Sequence, residues 1–486
     1  MVNENLIKID PKNISSINNG IFEGWGTSLC WWANRIGYSN ELSRQAAEAF
    51  FSLEKGIGLN IARYNIGGGD DPSHDHITRS DSNMDGFMHF DPESKTYVYD
   101  WNSDATQRNV LREIKIACPD NLIVEAFSNS PPYFMTESGC SSGAFVPTDD
   151  NLKSDCYDDF ADYLAEVTYN LQILDGIKIQ SLEPMNEPDT NFWHALSNKQ
   201  EGCHFSKGES QSKILTLTRE ALDKKGLNSV LVAGTDETSV DNQIDSYLAL
   251  SDQAKDSIHR IDTHTYNGTK LNELNSLAAA EGKNLWMSEV DGSYTSGVNA
   301  GEMAPALGLA EKIIKDLNGL KPSAWILWQV IDSHVSQKGY NGKADGGAPD
   351  YKKGFWGLAT ANHDRQEIIL TQKYFGFGQF TKFIRPGSKI IYTASNRNIA
   401  AYDSLSKKLV IVAVNSSNNV SPYTYDLSSF SKTGTEVTLV RTSGDKRKGE
   451  SLAQLKEKIL VFDDKTFDAN LAPNSITTFI ISDVEI

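Results

Sequence analysis

The sequence predicts an α/β fold, a (β/α)8 TIM barrel with a C-terminal side β-sandwich domain. Three observations carry that expectation. Eight short apolar, β-branched runs each close in polar or glycine-rich residues. Segments with apolar residues at helical spacing separate them, such as "DDFADYLAEVTYNLQIL" and "AEKIIKDLNGL". Past residue 387 the helical segments give way to successive strand-like runs.

In chain order the eight runs are "FEGWGTSL", "LNIARYNIGGG", "NLIVEAFSNSPP", "IKIQSLEPMNEP", "SVLVAGTDE", "IDTHTYNG", "NLWMSEVDG" and "SAWILWQVID". Eight strand–helix units over roughly 360 residues suit a barrel with insertions. The tail holds "KLVIVAVNSS", "TEVTLVRTS" and "SITTFIISD" among Ser, Asn, Gly and Lys clusters, the texture of a sandwich. Only "SLAQLKEKI" within it could be a helix, and the N-terminal "LIKIDPKN" could add a strand. The expected division is a barrel over 21–387 and a β-domain over 388–486 joined by segment 1–20.

Totals narrow the function. The 486 residues exceed what one hydrophobic core usually organises. A formal charge of −18 argues against nucleic acid or acidic membranes and suits a neutral ligand. No run is long enough to span a bilayer, and "MVNENLIKID" has neither the basic nor the apolar region of a signal peptide. The expected site of action is extracellular if a leader was removed, and cytoplasmic if Met1 is the native start. Cys30, Cys118, Cys140, Cys156 and Cys203 form no CxxC pair, which speaks against a zinc site or disulfide framework. A single bridge between Cys140 and Cys156 is conceivable.

Barrel enzymes carry their working residues at the C-terminal ends of the strands. Those ends hold Arg63 and Asp70 in unit two, and Asn186 and Glu187 in unit four. They hold His264 and Tyr266 in unit six, Glu289 in unit seven, and Trp328 and Gln329 in unit eight. Glu187 and Glu289 lie 102 residues apart, three βα units of about thirty-four, which places two carboxylates across one mouth. That layout serves glycoside hydrolysis. Of the neighbouring acids, Glu183 would point deeper into the barrel and pair with a charge such as Arg63. Asp189, after Pro188, would cap the next helix.

Together "EPMNEP", "RYNIGGGDDP", "SNSPPYFM", "HTYNG", "LWMSEV" and "FTKFIRPG" resemble glycoside hydrolase family 30 along nearly the whole chain. "GWGTSLCWWAN" and "FWHALSNKQEGCHF" are similar to its endo-β-1,6-galactanase subgroup, which acts on arabinogalactan side chains. The resemblance implies a retaining hydrolase in which Glu187 is the acid/base and Glu289 the nucleophile. Retention implies carboxyl groups about 5 to 5.5 Å apart. Glu187 must then arrive as the acid and Glu289 ionised, held so by Arg63 and Tyr266, with Asn186 bonding the sugar 2-OH. By the same resemblance Asp70 binds sugar hydroxyls and Trp328 floors the −1 subsite. Glucosyl-acting members carry a Trp where this chain has Ser128 or Asn129, which leaves more room or a polar contact near the sugar and is expected to admit the axial 4-OH of galactose.

Further substrate contacts are expected from Trp193, from one of Trp25, Trp31 and Trp32 (Trp32 by preference), and from His264, Tyr133 and His204. Asp70, Asp71, His74, Asp75 and His76 could pass for a metal site, but their spacing matches no common zinc pattern. Hydrolysis by two glutamates needs no metal and no cofactor. No Lys-Ser/Thr follows the three glycines, so they form no phosphate loop, and no GxSxG elbow is present. Cys203 next to His204 is a poor thiol dyad. The partner expected is a polysaccharide or oligosaccharide, taken by a monomer. β-1,6-glucan, xylan, a β-glucoside and exo-action on galactan stay open, as does a carbohydrate-binding protein on an inactive barrel.

Overall fold

A computed structural model describes residues 5–73, 75–79, 81–291, 301–336 and 355–486. Eight parallel strands close into a barrel in sequence order: β1 (Gly24–Ser28), β2 (Ile61–Asn65), β3 (Ile123–Phe127), β4 (Ser181–Glu183), β5 (Leu231–Ser239), β6 (Arg260–Asn267), β7 (Asn284–Val290) and β8 (Ala324–Leu327). Each coincides with one of the eight apolar runs. Most of their residues are buried on both faces, which is why the runs read as continuous rather than alternating.

The helices that return the chain are α1 (Asn40–Phe51), α2 (Ala105–Ala117), α3 (Tyr157–Asp175), α4 (Glu209–Lys224), α5 (Val240–Ala249), α6 (Leu271–Ala280), α7 (Met303–Gly319) and α8 (Gln372–Thr381). Their starts and stops are chemical. The Ser39 and Ser239 hydroxyls accept from the backbone N–H of Leu42 and Asn242, capping α1 and α5. Gly176 takes a left-handed φ of 61° just past α3. In α1 the buried Leu42, Ala46, Ala47, Phe50 and Phe51 form one stripe against the barrel, each large side chain contributing about 1.5–3 kcal/mol.

The tail folds as two sheets. The larger holds Lys408–Asn415 between Asn398–Asp403 and Ser475–Ile481, with Glu436–Ser443 beyond. The smaller pairs the N-terminal Leu6–Lys8 in parallel with Ser421–Asp426, which also meets Thr466–Leu471. Within Lys408–Asn415, Val410, Val412 and Val414 join the barrel-side core while Leu409, Ile411 and Ala413 face the smaller sheet. Both faces are covered, so "KLVIVAVN" is apolar throughout. "SLAQLKEKI" contains no helix: Glu450–Gln454 is a strand paired with Glu436–Ser443. All five cysteines are free, so Cys140 and Cys156 form no bridge. No helix among the described residues is long and apolar enough to cross a membrane.

Candidate active site

The site is built where β4 to β7 run out. Glu289, next to last in β7, follows a bulge, where Met287 pairs with Thr263 and Glu289 with His264. The extra residue re-aims the side chain. β5 is bulged in the same way around Asp236, which adopts φ +59° and turns its carboxylate inward. Glu187 lies beyond β4 in a left-handed turn at φ +48°. Its N–H donates to Asp236 O at 2.8 Å, and its carbonyl accepts from Trp193 Nε1 and Thr190 Oγ1, both at 3.0 Å. A backbone that L-residues adopt only at a cost is thus fixed from three sides.

Carboxylate oxygens of Glu187 and Glu289 and a ring nitrogen of His264 all lie within 4.8 Å of one another. His264 Nδ1 meets Glu187 Oε1 at 3.0 Å, and its Nε2 faces Asp236 Oδ1 at 3.2 Å. Arg63 spans three acids: Nε to Glu125 at 2.9 Å, Nη2 to Asp236 at 2.6 Å and Nη1 to Glu289 at 3.3 Å. The Tyr266 hydroxyl donates to Glu289 Oε1 at 3.1 Å.

Electrostatics follow from this packing. Burial, and then the charge of Glu187, push the Glu289 carboxyl up to about 7, while His264 and Arg63 pull it down. Burial opposes charge on His264, yet Glu289 and Asp236 raise it well above its ordinary value. Burial likewise works against ionised Asp236, but Arg63 and His264 hold it below the usual range. An acid and a carboxylate this close can donate a proton and attack a carbon on the same substrate bond, with no gap for a water between them.

The pair opens on a cavity of 480 Å³ lined by Asn186, Tyr266, Trp328, Trp193 and Asn129, all expected there. Trp31 and Trp328 form one wall, edge to face at 4.9 Å, with Arg79 4.7 Å over the Trp31 ring. Asn186 Oδ1 and Trp31 Nε1 are buried without a hydrogen-bond partner among the described residues, so a ligand could satisfy both. A roomier hollow of 630 Å³ lies beside α4 on the barrel's outside and holds neither carboxyl of the pair.

Other expectations need correcting. Trp32 does not line the cavity: it sits in the main core and donates Nε1 to Ser28 O at 2.8 Å, and its neighbour Trp31 takes the wall instead. Asp70 is turned into its own loop, accepting from the N–H of Asp71 and Ile77 and pairing with His76 at 2.8 Å. His76 is further tied to Ser142, and His74 lies outside the described residues. His264 is fully buried beneath the pair rather than facing a ligand. Tyr133 packs on Tyr97 and Phe134, away from the cavity. Asp189 caps nothing: it pairs with Lys207 at 2.7 Å, and Gly208 precedes α4.

Glu183 does point into the barrel, but Arg63 is taken by Glu125, Asp236 and Glu289. Burial, with Asp236 and Asp262 nearby, raises Glu183 well above the carboxylate range, so it is held as the neutral acid. Glu125, Glu183 and Asp262 offer oxygens close enough to share a cation, as do Glu187, His264 and Glu289. In both sets an arginine already supplies positive charge: Arg260 pairs with Glu125 and Asp262, and Arg63 with Glu125 and Glu289. The sequence reading passed over Asp236, Glu125 and Asp262. Their signal was present, since each is an acid inside an apolar strand run, where ionised groups need partners.

A closed barrel with two glutamates facing across its mouth, in a cleft walled by indoles, defines a glycosidase. The comparisons give the family. The model of O-glycosyl hydrolase family 30 matches residues 6–264. An endo-beta-1,6-galactanase of Hypocrea rufa is 32% identical over 99% of this chain and 95% of its own length. An exo-beta-1,6-galactobiohydrolase of Bifidobacterium longum subsp. longum is 26% identical over 84% of this chain, which spans 34% of that protein. The catalytic domain of xylanase C from Talaromyces cellulolyticus superposes with a TM-score of 0.68 at 18% identity, covering 98% of this chain and 100% of that one. The chain belongs to O-glycosyl hydrolase family 30.

Proposed function

We propose that the protein is a retaining endo-β-1,6-galactanase acting on arabinogalactan side chains. The observation that carries the substrate is the near full-length similarity to the Hypocrea rufa enzyme. The closeness of the Glu187 and Glu289 oxygens supports retention over inversion, which needs about 6.5–9.5 Å between carboxyl groups.

In this reading Glu187 protonates the glycosidic oxygen as Glu289 attacks the anomeric carbon, forming a covalent glycosyl-enzyme. Glu187 then takes a proton from the water that hydrolyses it. Arg63 and Tyr266 steady the charge on Glu289, and Asn186 Oδ1 accepts from the 2-OH. Asn129, whose Nδ2 donates to Asn65 Oδ1 at 3.2 Å, leaves space for an axial 4-OH. An Asn129→Trp variant is expected to lose most galactan activity, and one retaining full activity would refute that role.

The similarity to the galactobiohydrolase supports an exo-acting second reading. A product profile on debranched β-1,6-galactan, with xylan and β-1,6-glucan in parallel, separates them. A ladder of oligosaccharides is expected. A single short product would mean exo-action, and no galactan product would refute the substrate.

A further inference from the structure

A second hollow, of 410 Å³, adjoins the cleft and shares Phe192 and Thr238 with it. It runs across the C-terminal ends of β4, β5 and β6, and none of Glu289, Trp31 or Trp328 lines it. Its lining is polar: Asn191 from the loop after Glu187, Asn242 from the first turn of α5, Asn267 at the end of β6, and His204. Among the described residues no hydrogen bond engages the side-chain amides of these three asparagines. Thr238 Oγ1, at the junction, is buried and unpartnered. Phe192, 45% exposed and edge-on to Trp193, offers an apolar face beside them.

Free amides, a hydroxyl and one aromatic face are the chemistry that recognises a sugar, and the volume falls in the range that buries a drug-sized ligand. The direction comes from the pair. Glu187 lines the cleft together with Trp31 and Trp328, while Asp189 to Phe192, the residues that follow it in its own loop, line the hollow, and the sugar that leaves must depart past its proton donor. A β-1,6 link turns through an exocyclic carbon, so such a chain can bend from the cleft round the barrel mouth.

The geometry points to this groove as the binding site for the leaving-side galactosyl units beyond the scissile bond, with Asn242 and Asn267 setting where the chain is cut. The inference rests on the galactanase reading and accounts for internal cleavage within it. The test follows cleavage of β-1,6-galactohexaose labelled at its reducing end, for wild type, Asn242→Ala/Asn267→Ala and Asn267→Trp, with thermal melts alongside. Asn267 is exposed, so the tryptophan fills the groove without disturbing the core. Wild type should release labelled fragments of two or more sugars. Both variants should melt as wild type, lose about tenfold in kcat/KM, the effect of one or two hydrogen bonds, and shift the cut toward the label. Unchanged rates and cut sites in both variants would overturn the groove while leaving the galactanase reading intact. A wild type that cleaves xylan or β-1,6-glucan but not the hexaose would overturn that reading and the galactosyl occupant with it.

Discussion

At the scale of single residues, the question is how two glutamates in one cleft come to differ. Their surroundings divide them: Glu289 receives Arg63 and Tyr266, while Glu187 meets His264 and carries its backbone on Asp236 and Trp193. The charge of Glu187 is one of the causes that push Glu289 up to about 7. Glu187→Gln removes it, so the acidic limb of kcat/KM on an activated aryl galactoside should move to lower pH. On galactan the same variant should lose about 10²–10⁴-fold, because the leaving sugar then departs without a proton. An unmoved acidic limb would contradict the coupling. Glu187 and Glu289 were legible because strand-end acids in a barrel have few other reasons to sit there, and Asn186 because it adjoins Glu187. Trp31 and Trp32 were not separable, since neighbours at the end of a strand face opposite ways and only the backbone path decides which wall each joins.

Elements explain what the residues cannot. The eight strands were legible as buried runs, but β4 covers only Ser181–Glu183, and Glu187 is delivered by the turn that follows it. The bulges in β5 and β7 aim Asp236 and Glu289, and a bulge leaves no periodic trace in a sequence. The loop after β4 packs closely where Gly202 meets Trp193. A Cβ on Gly202 would overlap the Trp193 indole, whose Nε1 braces Glu187. Gly202→Ala should therefore cost about 1–3 kcal/mol of stability, shift indole fluorescence and lower kcat by displacing the acid/base. Melting and turnover identical to wild type would show that the loop does not position Glu187.

Over the whole molecule, buried acids set the dependence of stability on pH. Burial pushes Glu201, Glu237 and Asp104 each up to about 8, whereas the unfolded chain releases these protons near about 4 to 4.5. Between those values the folded chain holds protons that the unfolded chain does not, so stability falls as pH rises from about 4.5 to about 8. His264, raised above its ordinary value, adds to the fall above about 6.5. His334, which burial keeps neutral, opposes it below that point. A net charge of −18 adds self-repulsion of the same sign. Thermal melts should therefore give a lower Tm at pH 8 than at pH 5, and a higher Tm at pH 8 would contradict the assignment of these acids as neutral in the fold.

The central claim is a double displacement at the Glu187–Glu289 pair. Proton NMR of the anomeric region during early hydrolysis of a β-1,6-galacto-oligosaccharide tests it most directly. The β-anomer should appear first, with the α-anomer growing in only by mutarotation. An α-anomer that appears first would show inversion, and the two glutamates would not work as proposed.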